Sequence, residues 1–153
     1  MSIVTSKTIT LPTDLEQLVV LDALVAELLV SAPAFEDAEA VHYNIVLALH
    51  ELCVNIIKHA YEGQPGEFQL TLALHDSPSR LVIDSYDRGT RPFSLASVAE
   101  PDLVDPPING LGIFLMRQLM DTVQFDVSGG VNHWHITKQL TDSTQNLSHS
   151  PAA

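Results

Sequence analysis

The sequence has little positive charge. Lys and Arg together number 7, against 19 Asp and Glu, and the formal net charge is −12. A surface with this charge repels the phosphates of nucleic acids and of anionic membranes, so we expect no direct binding to either. The acidic balance either attracts basic protein partners or only keeps the protein soluble, and both interpretations remain open.

The sequence also lacks the features of secreted and membrane proteins. Cys53 is the single cysteine, which excludes an internal disulfide, and its aliphatic neighbours indicate a small buried residue rather than a catalytic thiol. No signal peptide is recognisable, and no apolar run approaches about 18 residues without a charge. We therefore expect a cytoplasmic protein that does not enter a membrane.

What the sequence does contain is a regular alternation of strand and helix patterns. The chain has 153 residues, 46% of them hydrophobic, enough for one domain with a real core. The later strands are apolar on one face only, which is typical of a sheet with helices on one side. We predict an α+β fold, a two-layer α/β sandwich with a mixed, mostly antiparallel sheet, over residues 1–140. Residues 141–153 are predicted to be a disordered polar tail. The predicted elements are a strand over 3–11, a helix from Thr13 (its cap) to Val30, a helix over 36–61, strands over 68–75 and 81–86, a helix from Gly110, and two strands joined at Gly129-Gly130.

The second helix carries one narrow polar window. Glu51, Asn55, Lys58 and His59 fall within a sector roughly 100° wide at about 100° per residue, and the rest of the helix is apolar. A core helix with such a window usually faces a ligand, a partner or water. A carboxylate, an amide and an ammonium group together suit a metal-bound polyphosphate, although Glu51 and Asn55 could also be a polar pair satisfied inside the core.

Two glycine motifs follow the polar helix. Asp87-Arg88-Gly89 ends a predicted strand, where a carboxylate can accept from an exocyclic amine and a glycine lets a flat ring approach the backbone. Gly110-Leu111-Gly112 opens a helix, whose N-terminal N–H groups favour an anion. Taken alone, the first is also a common turn and the second a tight loop-to-helix connection.

In this order and spacing, the three motifs resemble a known family. The chain resembles the ATP-binding domain shared by gyrase B, MutL and the sensor histidine kinases, the GHKL superfamily with its Bergerat-type fold. Within it, the chain is most similar to the anti-sigma-factor serine/threonine kinases. The resemblance covers about residues 5–140. Its motifs are Glu51-x-x-x-Asn55-x-x-Lys58-His59-Ala60-Tyr61, Asp87-x-Gly89, and Gly110-x-Gly112-Ile113-x-Leu115-Met116 followed by Leu119-Met120-Asp121.

The resemblance implies a role for each matching position. Asn55 would coordinate Mg²⁺ on the ATP phosphates, which suits a hard amide oxygen, and Glu51 would be the general base. Asp87 would accept from the adenine amino group beside Gly89. The remaining nucleotide-binding positions implied by the resemblance are Lys58, His59, Gly110, Leu111 and Gly112.

Three histidines allow other interpretations. His59 is more often a packed, hydrogen-bonded histidine than a functional one. His133 and His135 share a strand face and could bind a metal, but a solvated sheet face is the favoured interpretation. Asp84 is predicted to be an exposed strand residue.

The resemblance implies an ATP-dependent serine/threonine kinase that phosphorylates an anti-sigma antagonist of the STAS type in a partner-switching system. The resemblance also allows a sigma factor as a second partner and the pairing of two copies of the chain. The alternative is a nucleotide-gated binding module without kinase activity. Residues 94–109, the expected lid, contain no glycine or basic residue, which favours the alternative, whereas Glu51 opposes it. A nucleotide-free interaction domain is a third possibility.

Overall fold

The computed structural model describes residues 2–90 and 111–141. The predicted order of strand, two helices, two strands, helix and two strands is confirmed. A 3₁₀ helix (Leu15–Val20) precedes the first α-helix, and a π-helical turn (Ile56–Ala60) extends the second. The bounds are β1 Ile3–Pro12, α1 Leu21–Leu29, α2 Ala38–Asn55, β2 Glu67–His75, β3 Arg80–Asp87, α3 Leu111–Leu119, β4 Thr122–Ser128 and β5 Val131–Gln139.

The five strands form one sheet in the order β1-β2-β3-β5-β4. All four pairings are antiparallel, where a mixed, mostly antiparallel sheet was expected. The predicted hairpin at Gly129-Gly130 joins β4 to β5, and both glycines have the positive φ that such a tight turn requires, 59° and 77°. The α+β class is therefore confirmed.

The sheet has one covered face and one open face. Side chains of the covered face share a single hydrophobic cluster with the three helices, as alternation along β2 predicts. Trp134 is 1% exposed and packs against Phe125 with ring centroids 4.7 Å apart. The strand members of the covered face include Phe68, Leu70, Leu72, Leu74, Leu81, Ile83, Trp134 and Ile136.

The central helix α2 packs between α1 and α3. Ile45, Leu49 and Leu52 are fully buried, as is Cys53, whose thiol pKa is raised by burial. The continuous helix Ala38–Ala60 is long and apolar enough to cross a membrane by length and composition alone. Core helices of soluble domains meet the same criterion, so this is weak evidence for a membrane span.

The start of the first helix differs from the prediction. The cap is Asp14, whose side chain accepts from the Glu16 N–H at 3.0 Å. Thr13 Oγ1 instead donates to the Gln64 carbonyl at 2.9 Å. Thr13 thus ties the end of β1 to the loop before β2, a contact between distant segments that local capping rules do not contain.

Three predictions fall outside the described residues. They are the lid over 94–109, the position of Gly110, and the disordered tail, of which only Thr141 is described. The described parts of residues 1–140 contribute to one sheet and one core cluster.

Candidate functional site

Asp87 is a buried carboxylate at the end of β3. The residue is 2% exposed, and its Oδ1 accepts from the Gly89 N–H at 2.9 Å and from Asn132 Nδ2 at 2.7 Å. Its Oδ2 is buried and has no hydrogen-bond partner among the described residues. Burial raises the pKa of Asp87, while the bonds from Asn132 and Gly89 lower it. A buried acceptor without a donor is costly, and a ligand N–H would relieve that cost.

Asn132 on β5 fixes this carboxylate and was missed by the sequence analysis. Its Nδ2 donates to Asp87 Oδ1 and also to the Gly89 carbonyl at 3.0 Å. The residue is 4% exposed and lies opposite Asp87 in the strand register. The available signal was a polar side chain on the apolar face of β5, two positions before Trp134.

Gly89 lies directly against the end of the polar helix. A Cβ at this position would sit 2.5 Å from the Ala60 backbone carbon and oxygen. No L-side chain fits there, so the glycine permits the close approach of β3 to the π-helical turn. A glycine is therefore needed at position 89 for packing, in addition to its predicted role of admitting an adenine ring.

Tyr61 joins the same two segments through its hydroxyl. The hydroxyl donates to the Glu67 carbonyl at 2.7 Å and accepts from the Arg88 N–H at 3.0 Å. Tyr61 ends the His-Ala-Tyr motif in the sequence, but only the fold shows that it binds the residue between Asp87 and Gly89. The helix end and the Asp87 loop are thereby held together.

At the other end of the polar window, Glu51 faces the start of α3. A Cβ on Gly112 would sit 2.7 Å from Glu51 Oε2, and α2 and α3 pack along each other. Glu51 and Asn55 are both half-buried. Neither side chain has a hydrogen bond or ion pair to another described residue, so both are available to a ligand. Leu111, also half-buried, is the first residue of α3.

Lys58 and His59 lie on the π-helical turn, where both are exposed. The favoured interpretation of a packed His59 is therefore wrong. A π-helical turn inside a helix is frequent at functional sites, and helical periodicity does not predict one.

The structure therefore brings the three sequence motifs to one helix. Gly112 lies at Glu51, and Gly89 lies at Ala60, nine residues further on. At the α-helical rise this separation is on the order of 13 Å, with Asn55 between the two contacts. The Asp87 loop and the start of α3 thus meet the same helix at two separate places.

The chain is similar to known proteins over most of its length. Residues 11–138 match the family model of the histidine kinase-like ATPase domain. A serine-protein kinase RsbW of Bacillus cereus (strain B4264) is 35% identical over 98 residues, which cover 60% of this chain and 58% of that protein. The RsbW of Bacillus mycoides (strain KBAB4) is 28% identical over 96 residues with the same coverage. The chain thus spans less than two thirds of the length of these curated relatives.

A solved structure is similar in fold. It contains the RsbU and RsbW domains of a Mycobacterium tuberculosis protein, superposes with a TM-score of 0.61, and covers 89% of this chain and 32% of the other. At 17% sequence identity, this likeness supports the fold alone.

Proposed function

The chain belongs to the histidine kinase-like ATPase domain family, and from this premise we propose that it is an ATP-dependent serine/threonine protein kinase of the anti-sigma type. The family model covers residues 11–138, and the two RsbW relatives carry the name serine-protein kinase. The proposal extends that activity to this chain through its own residues.

The observation that carries the proposal is Asp87 Oδ2, which is buried and has no hydrogen-bond partner among the described residues. The amino group of adenine is a donor of the kind that this oxygen lacks. Because Oδ1 is already occupied by Gly89 and Asn132, the carboxylate is oriented before a ligand arrives. A hydrogen bond to a charged, buried acceptor is worth about 1.5–3 kcal/mol.

The residues of α2 fit a magnesium-bound triphosphate. Asn55 offers an amide oxygen, a hard ligand that Mg²⁺ accepts together with phosphate oxygens, and we assign Asn55 as its protein ligand. The ion would supply positive charge against the phosphates. Gly110, Leu111 and Gly112 would offer backbone N–H groups to the phosphates at the start of α3, and the exposed Lys58 and His59 would add side-chain donors at the rim.

Glu51 is proposed as the general base. Its half-buried carboxylate would accept the proton of a serine or threonine hydroxyl as that oxygen bonds to the γ-phosphorus. The bond between this phosphorus and the β–γ bridging oxygen breaks, and ADP leaves. Most of the rate acceleration in such a transfer comes from positioning and electrostatic stabilisation, and the close approach of Gly112 to Glu51 supports a positioned base.

The proposed substrate is an anti-sigma antagonist of the STAS type, and a sigma factor is the proposed second partner. Phosphorylation would release the antagonist because it adds charge and bulk at the interface. The proposed setting is the cytoplasm, and pairing of two copies of the chain is part of the same proposal.

The test is calorimetric titration of the wild-type chain, Asn55→Ala and Glu51→Gln with Mg·ATP, followed by phosphoryl transfer to a candidate antagonist. We expect wild type and Glu51→Gln to bind, Asn55→Ala to lose binding, and only wild type to transfer phosphate. Glu39→Gln, an exposed change on the same helix, is the control. Normal Mg·ATP binding by Asn55→Ala would remove the magnesium assignment, and no ATP binding by wild type would remove the proposed function.

The second candidate is a nucleotide-gated binding module without kinase activity. The absence of any Lys or Arg from residues 94–109 favours it, since no cation in that segment would reach the γ-phosphate. ATP binding that changes partner affinity, without phosphate appearing on the partner, would select this function over the kinase.

A further inference from the structure

Three potential metal ligands converge on the open face of the sheet. Asp84 on β3 lies directly opposite His135 on β5, and His133 follows on the same face of β5. One ligand atom from each residue lies within 4.8 Å of the other two. The sequence analysis favoured a solvated face here and an exposed Asp84. The structure corrects the second, because the Asp84 side chain is 22% exposed and is bonded to both histidines, whose side chains are 33% and 36% exposed.

The two imidazoles approach a single carboxylate oxygen. His133 Nε2 lies 2.6 Å and His135 Nδ1 lies 2.7 Å from Asp84 Oδ1. An ionised carboxylate only accepts, so both nitrogens carry hydrogen in this arrangement. Two protons thus occupy the space between three metal-binding atoms.

The surroundings hold the cluster in place and leave it accessible. Tyr86 stacks on His133, with centroids 4.5 Å apart and an interplanar angle of 11°, which fixes the orientation of that ring. A depression of about 320 Å³ adjoins both histidines and is also lined by Gln124 and Asp126. Asp126 lies opposite His133 in the register and adds negative charge to this edge.

We propose that Asp84, His133 and His135 form a zinc-binding site on the open face of the sheet, separate from the nucleotide site. Two imidazoles and one carboxylate are a common zinc donor set, and water would complete a tetrahedral site. Imidazole donors favour zinc over magnesium or calcium. Asp84 and Asp87 are three residues apart on β3, and their burial differs: Asp87 belongs to the covered face and Asp84 to the open one.

Zinc binding would open both contacts between the imidazoles and Asp84. Donor atoms 2.0–2.1 Å from a tetrahedral zinc ion are roughly 3.4 Å apart, so each N···O separation would open by roughly 0.7 Å. Each neutral imidazole would transfer its inward proton to the other ring nitrogen through solvent, which frees a lone pair without changing the charge of the ring. Tyr86 would keep the His133 ring in plane, as supporting contacts do in known metal sites.

The experiment is calorimetric titration of the untagged, full chain with Zn²⁺ in the absence of nucleotide. We expect one equivalent of Zn²⁺ to bind wild type, and affinity to fall at least about tenfold in His133→Gln and in His135→Gln. His75→Gln is the matched control, because His75 lies on the same sheet face outside the cluster. Its zinc affinity should equal that of wild type.

A second measurement, made on wild type, tests the proposal even if the histidine variants fail to fold. The visible spectrum of Co²⁺ added to wild type should have the intensity of a tetrahedral site, and the histidine resonances shifted by Co²⁺ should be those of His133 and His135. Absence of Zn²⁺ binding to wild type, equal affinity in folded His133→Gln and His135→Gln, or an octahedral Co²⁺ spectrum would each overturn the proposal. The result is independent of ATP binding, so it does not depend on the proposed kinase function.

Discussion

Gly112 lies against the side chain of Glu51, so closely that a Cβ on Gly112 would sit 2.7 Å from Glu51 Oε2. The next nearest atoms, Cδ and Cβ of Glu51, would be 3.6 and 3.8 Å away. The contact is therefore with the movable end of a side chain and not with backbone. A substitution here would displace the proposed base while leaving the helices in place.

Gly112→Ala should impair phosphoryl transfer more than it impairs folding. Displacing a reacting group by about 1 Å can cost on the order of 100-fold in rate, so we expect transfer to fall at least tenfold. The unfolding free energy should change by less than about 1 kcal/mol, because alanine favours the helix by about 0.5–1 kcal/mol over glycine. Transfer kinetics and urea unfolding of the same preparation measure both. Wild-type transfer rates in Gly112→Ala would show that the contact does not position Glu51.

Gly89→Ala should mainly lower the free energy of unfolding, unlike Gly112→Ala. Its Cβ would meet the backbone of Ala60 at 2.5 Å, and backbone cannot move aside as a carboxylate can. Overpacking of this kind costs about 1–3 kcal/mol, which urea unfolding would detect. Thr90→Ala, an exposed neighbouring change, is the control and should lie within about 0.5 kcal/mol of wild type. Equal stability of the two variants would contradict the close packing of β3 on the helix end.

Asp87→Asn should weaken ATP binding while keeping the hydrogen bonds from Gly89 and Asn132. The remaining amide oxygen can still accept from Gly89 and Asn132, but the new amide NH₂ would take the place of Oδ2 and present a donor to the adenine amino group. Loss of one hydrogen bond to a charged acceptor, about 1.5–3 kcal/mol, predicts at least about a tenfold loss of ATP affinity by calorimetry. Asp126→Asn, an exposed aspartate, is the control. Undiminished ATP affinity in Asp87→Asn would exclude Asp87 as the adenine acceptor.

The pH dependence of folding should report the buried Asp87 carboxylate. Its pKa is raised above the ordinary value of 3.8, so the folded state holds this proton at a pH where the unfolded chain has lost it. The contribution of Asp87 to the free energy of unfolding therefore falls as the pH rises from 3.8 through the raised pKa, and is constant above it. Without nucleotide, the stability of Asp87→Asn relative to wild type should rise across that window. A difference that is flat or falls with pH would contradict the raised pKa.

Tyr61→Phe should loosen the joint between the helix end and the Asp87 loop. The change removes a hydroxyl that binds both the Glu67 carbonyl and the Arg88 N–H, for a loss of about 1–2 kcal/mol of unfolding free energy. Tyr43→Phe is the matched control, since Tyr43 is 67% exposed. The free energies of unfolding of the two variants, measured in urea, should differ by that amount. Equal free energies would show that the hydrogen bonds of the Tyr61 hydroxyl do not contribute to stability.

Local pattern was enough to predict most of the elements. Alternation along β2 placed Phe68, Leu70 and Leu72 on the covered face because side chains on a strand alternate strictly, and all three are buried. Helical periodicity likewise placed Glu51 and Asn55 on one side of α2. The structure adds a π-helical turn over Ile56–Ala60, where Lys58 and His59 are exposed.

Sequence patterns did not predict the contacts between distant segments. The bond from Asn132 to Asp87 joins residues 45 positions apart, and the cluster of Asp84 with His133 and His135 joins β3 to β5. A strand pattern shows which face a residue occupies but not which strand is its neighbour. The strand pattern therefore predicts an exposed Asp84, whereas the sheet order places two imidazoles beside it.

The α+β class, the order of the elements and the motifs of the family follow from the sequence, because periodicity, turn residues and short spacings are local properties of the chain. The fold alone shows that Gly112 touches Glu51 and that Gly89 touches Ala60. It also shows that one oxygen of Asp87 is hydrogen-bonded while the other has no donor among the described residues. These relationships depend on the register of β3 against β5 and on the packing of α3 along α2. Register and packing are set by the simultaneous burial of all the apolar faces, which no single segment encodes.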